Sequence, residues 1–393
     1  MERFTGLLGI VLILGVSFLM SNNRKAINYR TVGVGLLLQV ALAVFILKTE
    51  TGQATFQWLG DSINTLLGQA DKGAQFVFGS LVDRKLMSQA FGAGNDYIFF
   101  FKVVPTIIFV AVLVNMFYHL GVLQRVVSTM GKGVHWLMGV SGAEALSNVA
   151  STFVGQVEAQ IMIKPYLKNM TNSELMASMT GSFACIAGGV MAVYISLGVP
   201  AAYLLAASLM AAPGALVISK IMFPETEKSE TEGMVKMDII KTHANLVDAI
   251  AAGASEGLKV GLNVIAMLIG FIALIALVDL GLGHIGNWIN LPELSMNLIL
   301  GKVFSVFAFA MGVPAQDVEV AGALMGKKMV VNEFVAYLDM VHLKATLDPK
   351  TIAITSFALC GFANFSSVAI QIGGIGELAP SRRSDLAKLG FKA

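Results

Sequence analysis

The sequence predicts an all-α integral membrane protein, multi-spanning and built from two related halves that each carry a broken hairpin. Three observations predict it. Of the 393 residues 56% are hydrophobic and only 13% charged, against roughly 25% charged in soluble domains. Charge-poor apolar stretches, several near the roughly 20 residues that a membrane helix needs, recur along the whole chain. Finally, two distant stretches repeat one order of polar, acidic and glycine residues, the pattern expected of inverted repeats.

The first span is expected over about Phe4 to Met20. No small-residue cleavage site follows it, whereas Arg24, Lys25 and Arg30 do; these cations place its C-terminal end in the cytoplasm and the N-terminus outside. A second span covers Val32 to Leu47. Residues 48–96 are too polar to cross, and their amphipathic pieces around Phe56 to Leu67 and Gln75 to Val82 suit helices in the interface plane. A third span runs from Phe99 to Tyr118. Glycines 131, 133, 139, 142 and 155 then break the apolar pattern as far as Pro165. Further apolar segments cover Leu175 to Leu197, Tyr203 to Met222, Val260 to Leu280 and Leu298 to Val313, followed by a broken region, Val318 to Leu338, and a glycine-interrupted segment, Thr351 to Ile375. Residues 224–245, with Glu225, Glu227, Lys228, Glu230, Glu232 and Lys236, read as a solvated linker between halves. Gly253, Gly257 and Gly261, spaced by four, predict a close helix contact.

The repeat is specific. Gly155-Gln156-Val157-Glu158-Ala159 is followed 24 residues after Glu158 by Ser182-Phe183-Ala184 and then Gly188-Gly189. Asn332-Glu333-Phe334-Val335-Ala336 is followed 23 residues after Glu333 by Ser356-Phe357-Ala358 and then Gly361-Phe362-Ala363-Asn364. A carboxylate among apolar neighbours in a bilayer costs several kcal/mol unless it is paired, protonated or faces a cavity. Glu158 and Glu333 are therefore candidate functional residues, the alternative being that each caps a half-helix N-terminus or pairs with a nearby cation such as Lys164 or Lys328. Unwound backbone at membrane depth also needs partners that a polar ligand can supply. Gln156 and Asn364 can each donate and accept hydrogen bonds, and Phe362 offers an aromatic face.

Other classes find little support. The net charge is +2 with no basic run, so no nucleic-acid partner is expected. His119, His135, His243, His284 and His342 have no metal-ligand spacing; Cys185 and Cys360 lack CxxC spacing; Gly322 to Lys328 is too short for a P-loop and no Ser or Thr follows its lysines. An intramembrane enzyme thus lacks its motifs, and no catalytic residue is assigned. A passive channel would need a continuous polar lining, which two local clusters do not make.

The hairpin segment around Glu158, the run Val331-Asn332-Glu333-Phe334-Val335-Ala336-Tyr337 and the stretch Ser356 to Ser367 resemble the signature segments of concentrative nucleoside transporters, as do Ser21 to Ile27 and Pro224 to Lys228. The resemblance covers residues 1–393 in order. It implies a cation-coupled nucleoside symporter of the cell inner membrane, a homotrimer whose protomers contain two re-entrant hairpins and move a transport domain against a scaffold like an elevator. The implied division is 1–98, scaffold spans and interfacial segment; 99–223, first repeat with its hairpin at about 141–170; 224–245, linker; 246–393, second repeat with its hairpin at about 314–343. Matching positions assign Gln156, Val157, Glu158, Val190 and Phe362 to the nucleobase, with Val260 in the same apolar wall, and Glu333, Asn364 and Ser367 to the ribose.

Two departures matter. Val157 and Gln160 stand where the family hairpin often has threonine and proline. The coupling-ion region matches Ser151, Val154, Cys185 and Ile186, where sodium-coupled members have Asn and Ser side chains at the positions of Ser151 and Cys185. A thiol suits a hard cation poorly, so the coupling cation is expected to be a proton rather than Na+, with Glu158 or Glu333 as carrier; backbone carbonyls near Val154 and Ile186 keep Na+ open. No other cofactor is expected. The family usually ends in one more hydrophobic helix after a basic loop like residues 380–392, so the expectation is an architecture without that helix.

Overall fold

A computed structural model describes residues 5–92, 98–233 and 243–393, so Phe4, Asp96 and Lys236 of the segments above lie outside the described residues. Among the described residues the secondary structure is helical throughout. Helix Thr5–Leu19 packs on Met296–Ala310, where a Cβ at Gly9 would stand 2.6 Å from the Ala310 carbonyl oxygen. Helix Tyr29–Lys48 packs on Ala201–Met222, and the Gln39 amide donates to the Met210 carbonyl at 2.6 Å.

The polar stretch after Lys48 folds into helices Glu50–Leu67, Gln69–Phe78 and Arg84–Phe91. The first is amphipathic as expected: Gly52, Phe56, Gly60 and Leu67 are buried while Trp58 is exposed. The second expected piece splits, because Gly79 adopts a positive φ and ends Gln69–Phe78 before a 3-10 turn.

The largest difference from the sequence expectation is in the second half. Instead of a span starting at Val260, one helix of 43 residues runs from Leu246 to Trp288. Its extra N-terminal turns carry Asp248, Glu256 and Lys259, which hide a helix from hydropathy. The Gly253, Gly257, Gly261 stripe lies on Phe99–His119, with hypothetical Cβ atoms at 2.8 Å from the Ala111 carbonyl and 2.6 Å from the Ile108 Cα. Only glycine permits this approach of two backbones. At about 1.5 Å per residue the helix is ~65 Å long, roughly twice the ~30 Å hydrocarbon core, so it tilts or projects beyond the bilayer.

The two halves repeat one arrangement. Gly142–Ser151 and the short helices Glu158–Ile161 and Lys164–Leu167 form hairpin 1, followed by the broken pair Asn172–Ala184 and Gly188–Leu197. Val318–Val330 and Glu333–Leu343 form hairpin 2, followed by the broken pair Pro349–Leu359 and Phe365–Leu378. The linker is not merely solvated where it is described. Thr231 is buried, its carbonyl accepts from Gly142 N at 2.9 Å, and its hydroxyl and that of Ser229 donate to Glu174, while Thr171 donates to Glu225 at 2.7 Å. Linker residues are thereby tied to the N-termini of Gly142–Ser151 and Asn172–Ala184.

Candidate functional site

Hairpin 1 begins with a capping box, Ser141 with Glu144, that satisfies the first free amides of its helix. The whole of Gly142–Ser151 is buried. It approaches Asn172–Ala184 at Gly181, where a Cβ would stand 2.0 Å from Asn148 Oδ1; the Asn148 amide donates to the Glu144 and Ala177 carbonyls. Behind the hairpin lies a buried hydroxyl and amide network. Gln160 donates to Ser147 at 3.1 Å and Ser182 at 2.8 Å and accepts from Ser178 at 2.6 Å; Ser151 donates to the Ser147 carbonyl and lies 3.0 Å from Ser182 Oγ. The break after Ser151 is tolerated at membrane depth where protein groups serve its backbone, as Gly188 N does for the Phe153 carbonyl. Glu158 begins the next short helix, is exposed, and folds over Gly155, where a Cβ would come within 2.1 Å of its carboxylate.

Hairpin 2 is more regular. Asn332 accepts from Val335 N at 3.0 Å and caps Glu333–Leu343. Glu333 is buried; its carboxylate accepts from the Tyr194 hydroxyl at 3.0 Å and from the Asn364 amide at 2.9 Å. Asn364 in turn accepts from Ser367 N at 2.9 Å and Ser366 Oγ at 2.7 Å, capping Phe365–Leu378. Lys328 does not neutralise Glu333 by direct contact. Its ammonium donates to the Ala358 carbonyl at 2.9 Å and the Cys360 carbonyl at 3.3 Å, where Pro349–Leu359 ends. Nor does Glu158 form an ion pair with Lys164 among the described residues.

Between the hairpins is a cavity of about 680 Å³. Gln156, Val157, Glu158, Val190 and Phe362, the five base-side candidates, all line it, as do Val260 and Phe334. It continues to Asn115, Tyr118, His243 and Glu256, next to the linker. The ribose-side candidates Glu333, Asn364 and Ser367 are brought together but only 3–7% exposed. The coupling-ion candidates Ser151, Val154, Cys185 and Ile186 are buried as well, and Thr152 lies 3.7 Å from Cys185 Sγ. Among the described residues no group of three or more His, Cys, Asp or Glu side chains could hold a metal.

Sequence reasoning did not single out Tyr194, Ser147, Ser178 or Gln371; it noted Gln160 only as a departure and Ser182 only as part of the repeated pattern. Gln371 is buried and its amide donates to Gln156 Oε1. Isolated polar residues in apolar helices have no spacing signal; their contacts reveal them, within the first repeat for Ser147, Ser178, Ser182 and Gln160 and across the repeats for Tyr194 and Gln371.

An all-α membrane fold whose two broken hairpins converge on an apolar cavity with carboxylate and amide groups defines a secondary transporter. The comparisons agree. Family models match in three parts: the N-terminal part of a Na+ dependent nucleoside transporter over residues 8–81, a nucleoside recognition Gate over 100–201, and the C-terminal part of the Na+ dependent nucleoside transporter over 203–393. The chain is 45% identical to the transporter YutK of Bacillus subtilis, over 100% of this chain and 95% of the relative. It is 38% identical to the nucleoside permease NupC of Helicobacter pylori, over 98% of this chain and 92% of the relative. The inward-facing, substrate-bound structure of CNTnw superposes with a TM-score of 0.94 at 40% identity, covering 100% of this chain and 93% of that one. The protein belongs to the concentrative nucleoside transporter family; it is a membrane transporter and not an enzyme.

Proposed function

We propose that the protein is a symporter that imports nucleosides across the cell inner membrane. The observation that carries this reading is the cavity, in which an aromatic and aliphatic wall for a flat base adjoins Gln156 and Glu158, while Glu333 and Asn364 sit one and two residues along the chain from the lining residues Phe334 and Phe362. A carboxylate and an amide suit the vicinal hydroxyls of ribose. In this reading Gln156, Val157, Glu158, Val190 and Phe362 contact the base, and Glu333, Asn364 and Ser367 the ribose. With Arg24 and Lys25 cytoplasmic and the N-terminus outside, the cavity faces inward: Asn22 N donates to the Met222 carbonyl at 3.0 Å, so the basic loop and the linker share one end, and the cavity reaches His243 at the linker. The glycine-locked pair Phe99–His119 and Leu246–Trp288 would belong to the scaffold of a homotrimer, past which the hairpins move in an elevator fashion.

The driving cation is a proton in this reading. Cys185 offers sulfur where a hard cation wants oxygen. Na+ coupling is the second reading, favoured by the Na+ dependence in the description of the matching family models. The test is radiolabelled uridine uptake into proteoliposomes under separately imposed proton and sodium gradients. A proton gradient alone should drive accumulation. Uptake that answers only to sodium reverses the coupling assignment, and uptake driven by neither gradient and uncompeted by excess nucleoside defeats the symporter.

A further inference from the structure

We propose that Gln371 is a positioning residue that sets which hydrogen-bonding group Gln156 shows to the nucleobase, and hence which base edges the site accepts. The inference rests on the reading of Gln156 as a base contact. Gln371 lies on Phe365–Leu378, in the second repeat, yet reaches the first. Its side chain is fully buried, and its Nε2 donates to Gln156 Oε1 at 3.3 Å and to the Met179 carbonyl at 3.4 Å. Three residues along the same helix, Gly374 receives Val157, with a hypothetical Cβ 2.6 Å from Val157 Cγ2. This helix is thus the wall against which the hairpin 1 tip is seated.

The amide orientation follows from what its neighbours can do. A backbone carbonyl only accepts, so the end of Gln371 that faces Met179 must carry the N–H groups. Turned over, the amide would set its oxygen against the Met179 oxygen and withdraw both of the bonds that Nε2 makes. The present orientation holds even though it leaves Gln371 Oε1 buried without a partner. With Gln371 as donor, Gln156 Oε1 is the acceptor, and the group that Gln156 keeps for the cavity is its NH2. A chain of three groups, from the Met179 carbonyl through Gln371 to Gln156, therefore makes Gln156 a donor. It pairs with a carbonyl oxygen or bare ring nitrogen of the base and disfavours an exocyclic amino group at that point.

The test uses the full chain in proteoliposomes and the KM values of uridine, cytidine, adenosine and inosine. Within the pairs cytidine and uridine, or adenosine and inosine, donor and acceptor positions on the base edge are exchanged. Gln371→Met removes the donor at similar volume and lets Gln156 rotate; the larger KM ratio of the two pairs should move toward one by about fivefold, the worth of one net hydrogen bond, with maximal rates and melting temperature close to wild type. Gln371→Leu likewise removes the donor without burying a charge and should move the ratio in the same direction, which keeps the test open if the methionine variant fails to fold. Gln156→Ala separates the two readings. If it raises KM while both Gln371 variants keep the wild-type ratios, or shift all four KM values equally, the positioning role is overturned. If Gln156→Ala leaves every KM unchanged, the base-site reading itself falls.

Discussion

Hairpin 1 and hairpin 2 hold equivalent places in the two repeats, and each brings a glutamate to the turn of a broken helix, yet the two carboxylates are treated oppositely. Glu333 starts an 11-residue helix, is buried, and is held by Tyr194 and Asn364. Glu158 starts a helix of 4 residues, is exposed and lines the cavity, folded over Gly155. Around hairpin 1 the fixed polar groups lie behind the carboxylate, in the network of Gln160 with Ser147, Ser178 and Ser182; around hairpin 2 they converge on the carboxylate itself. The carboxylate of the second repeat is thus fixed in orientation by its own neighbours, and that of the first is turned to the cavity.

This contrast can be broken at four places. The largest effect is expected at Glu333→Gln, which removes a buried, doubly bonded acceptor; uridine affinity should fall by about 100-fold, the range of hydrogen bonds to charged groups, and wild-type binding measured by calorimetry would remove Glu333 from the site. Next is Gln160→Leu, which leaves the Ser147, Ser178 and Ser182 hydroxyls short of a partner in a buried setting and should cost about 2–3 kcal/mol. Thermal unfolding in detergent reads this, and an unchanged melting temperature would mean the network holds nothing together. Glu158→Gln comes third: with an exposed side chain it should raise KM for uridine about tenfold without shifting the melting temperature, and a loss of stability as large as that of Gln160→Leu would contradict its ligand-facing role. Smallest is Gly155→Ala, whose methyl would displace the Glu158 carboxylate and should raise KM by about threefold; no change would show that the folded-back position of Glu158 is not the one that binds.

Much of this was legible in the sequence, for physical reasons that differ by region. Gln156, Glu158, Glu333 and Asn364 stand out because a polar side chain in an apolar run is expensive and because glycine marks the backbone breaks around them. The glycine stripe at 253, 257 and 261 predicted a close helix contact, and the structure places it on Phe99–His119. The start of that long helix at Leu246 was hidden, since hydropathy reads lipid exposure and its first turns are charged. The burial of Glu333, Asn364 and Ser367 away from the lining, and the bond between Gln371 and Gln156, depend on how two stretches some two hundred residues apart meet, which no local pattern encodes. The linker looked like solvent-exposed chain because its acids and hydroxyls are polar; their partners are the capping boxes at Ser141 and Thr171.

Lys328 has a consequence for the symmetry of the two repeats. Its ammonium occupies the carbonyl end of Pro349–Leu359 in the second repeat, where the helix dipole is negative. A cation bound there is a fixture of the polypeptide: it cannot dissociate, equilibrate with either side of the membrane, or draw work from a gradient. The first repeat has no lysine or arginine between residues 142 and 163, and among the described residues no lysine or arginine donates to its corresponding break, at Cys185 and Ile186. The two breaks are therefore electrostatically unequal despite the repeat: the negative end of the helix before the second is met by the polypeptide's own ammonium.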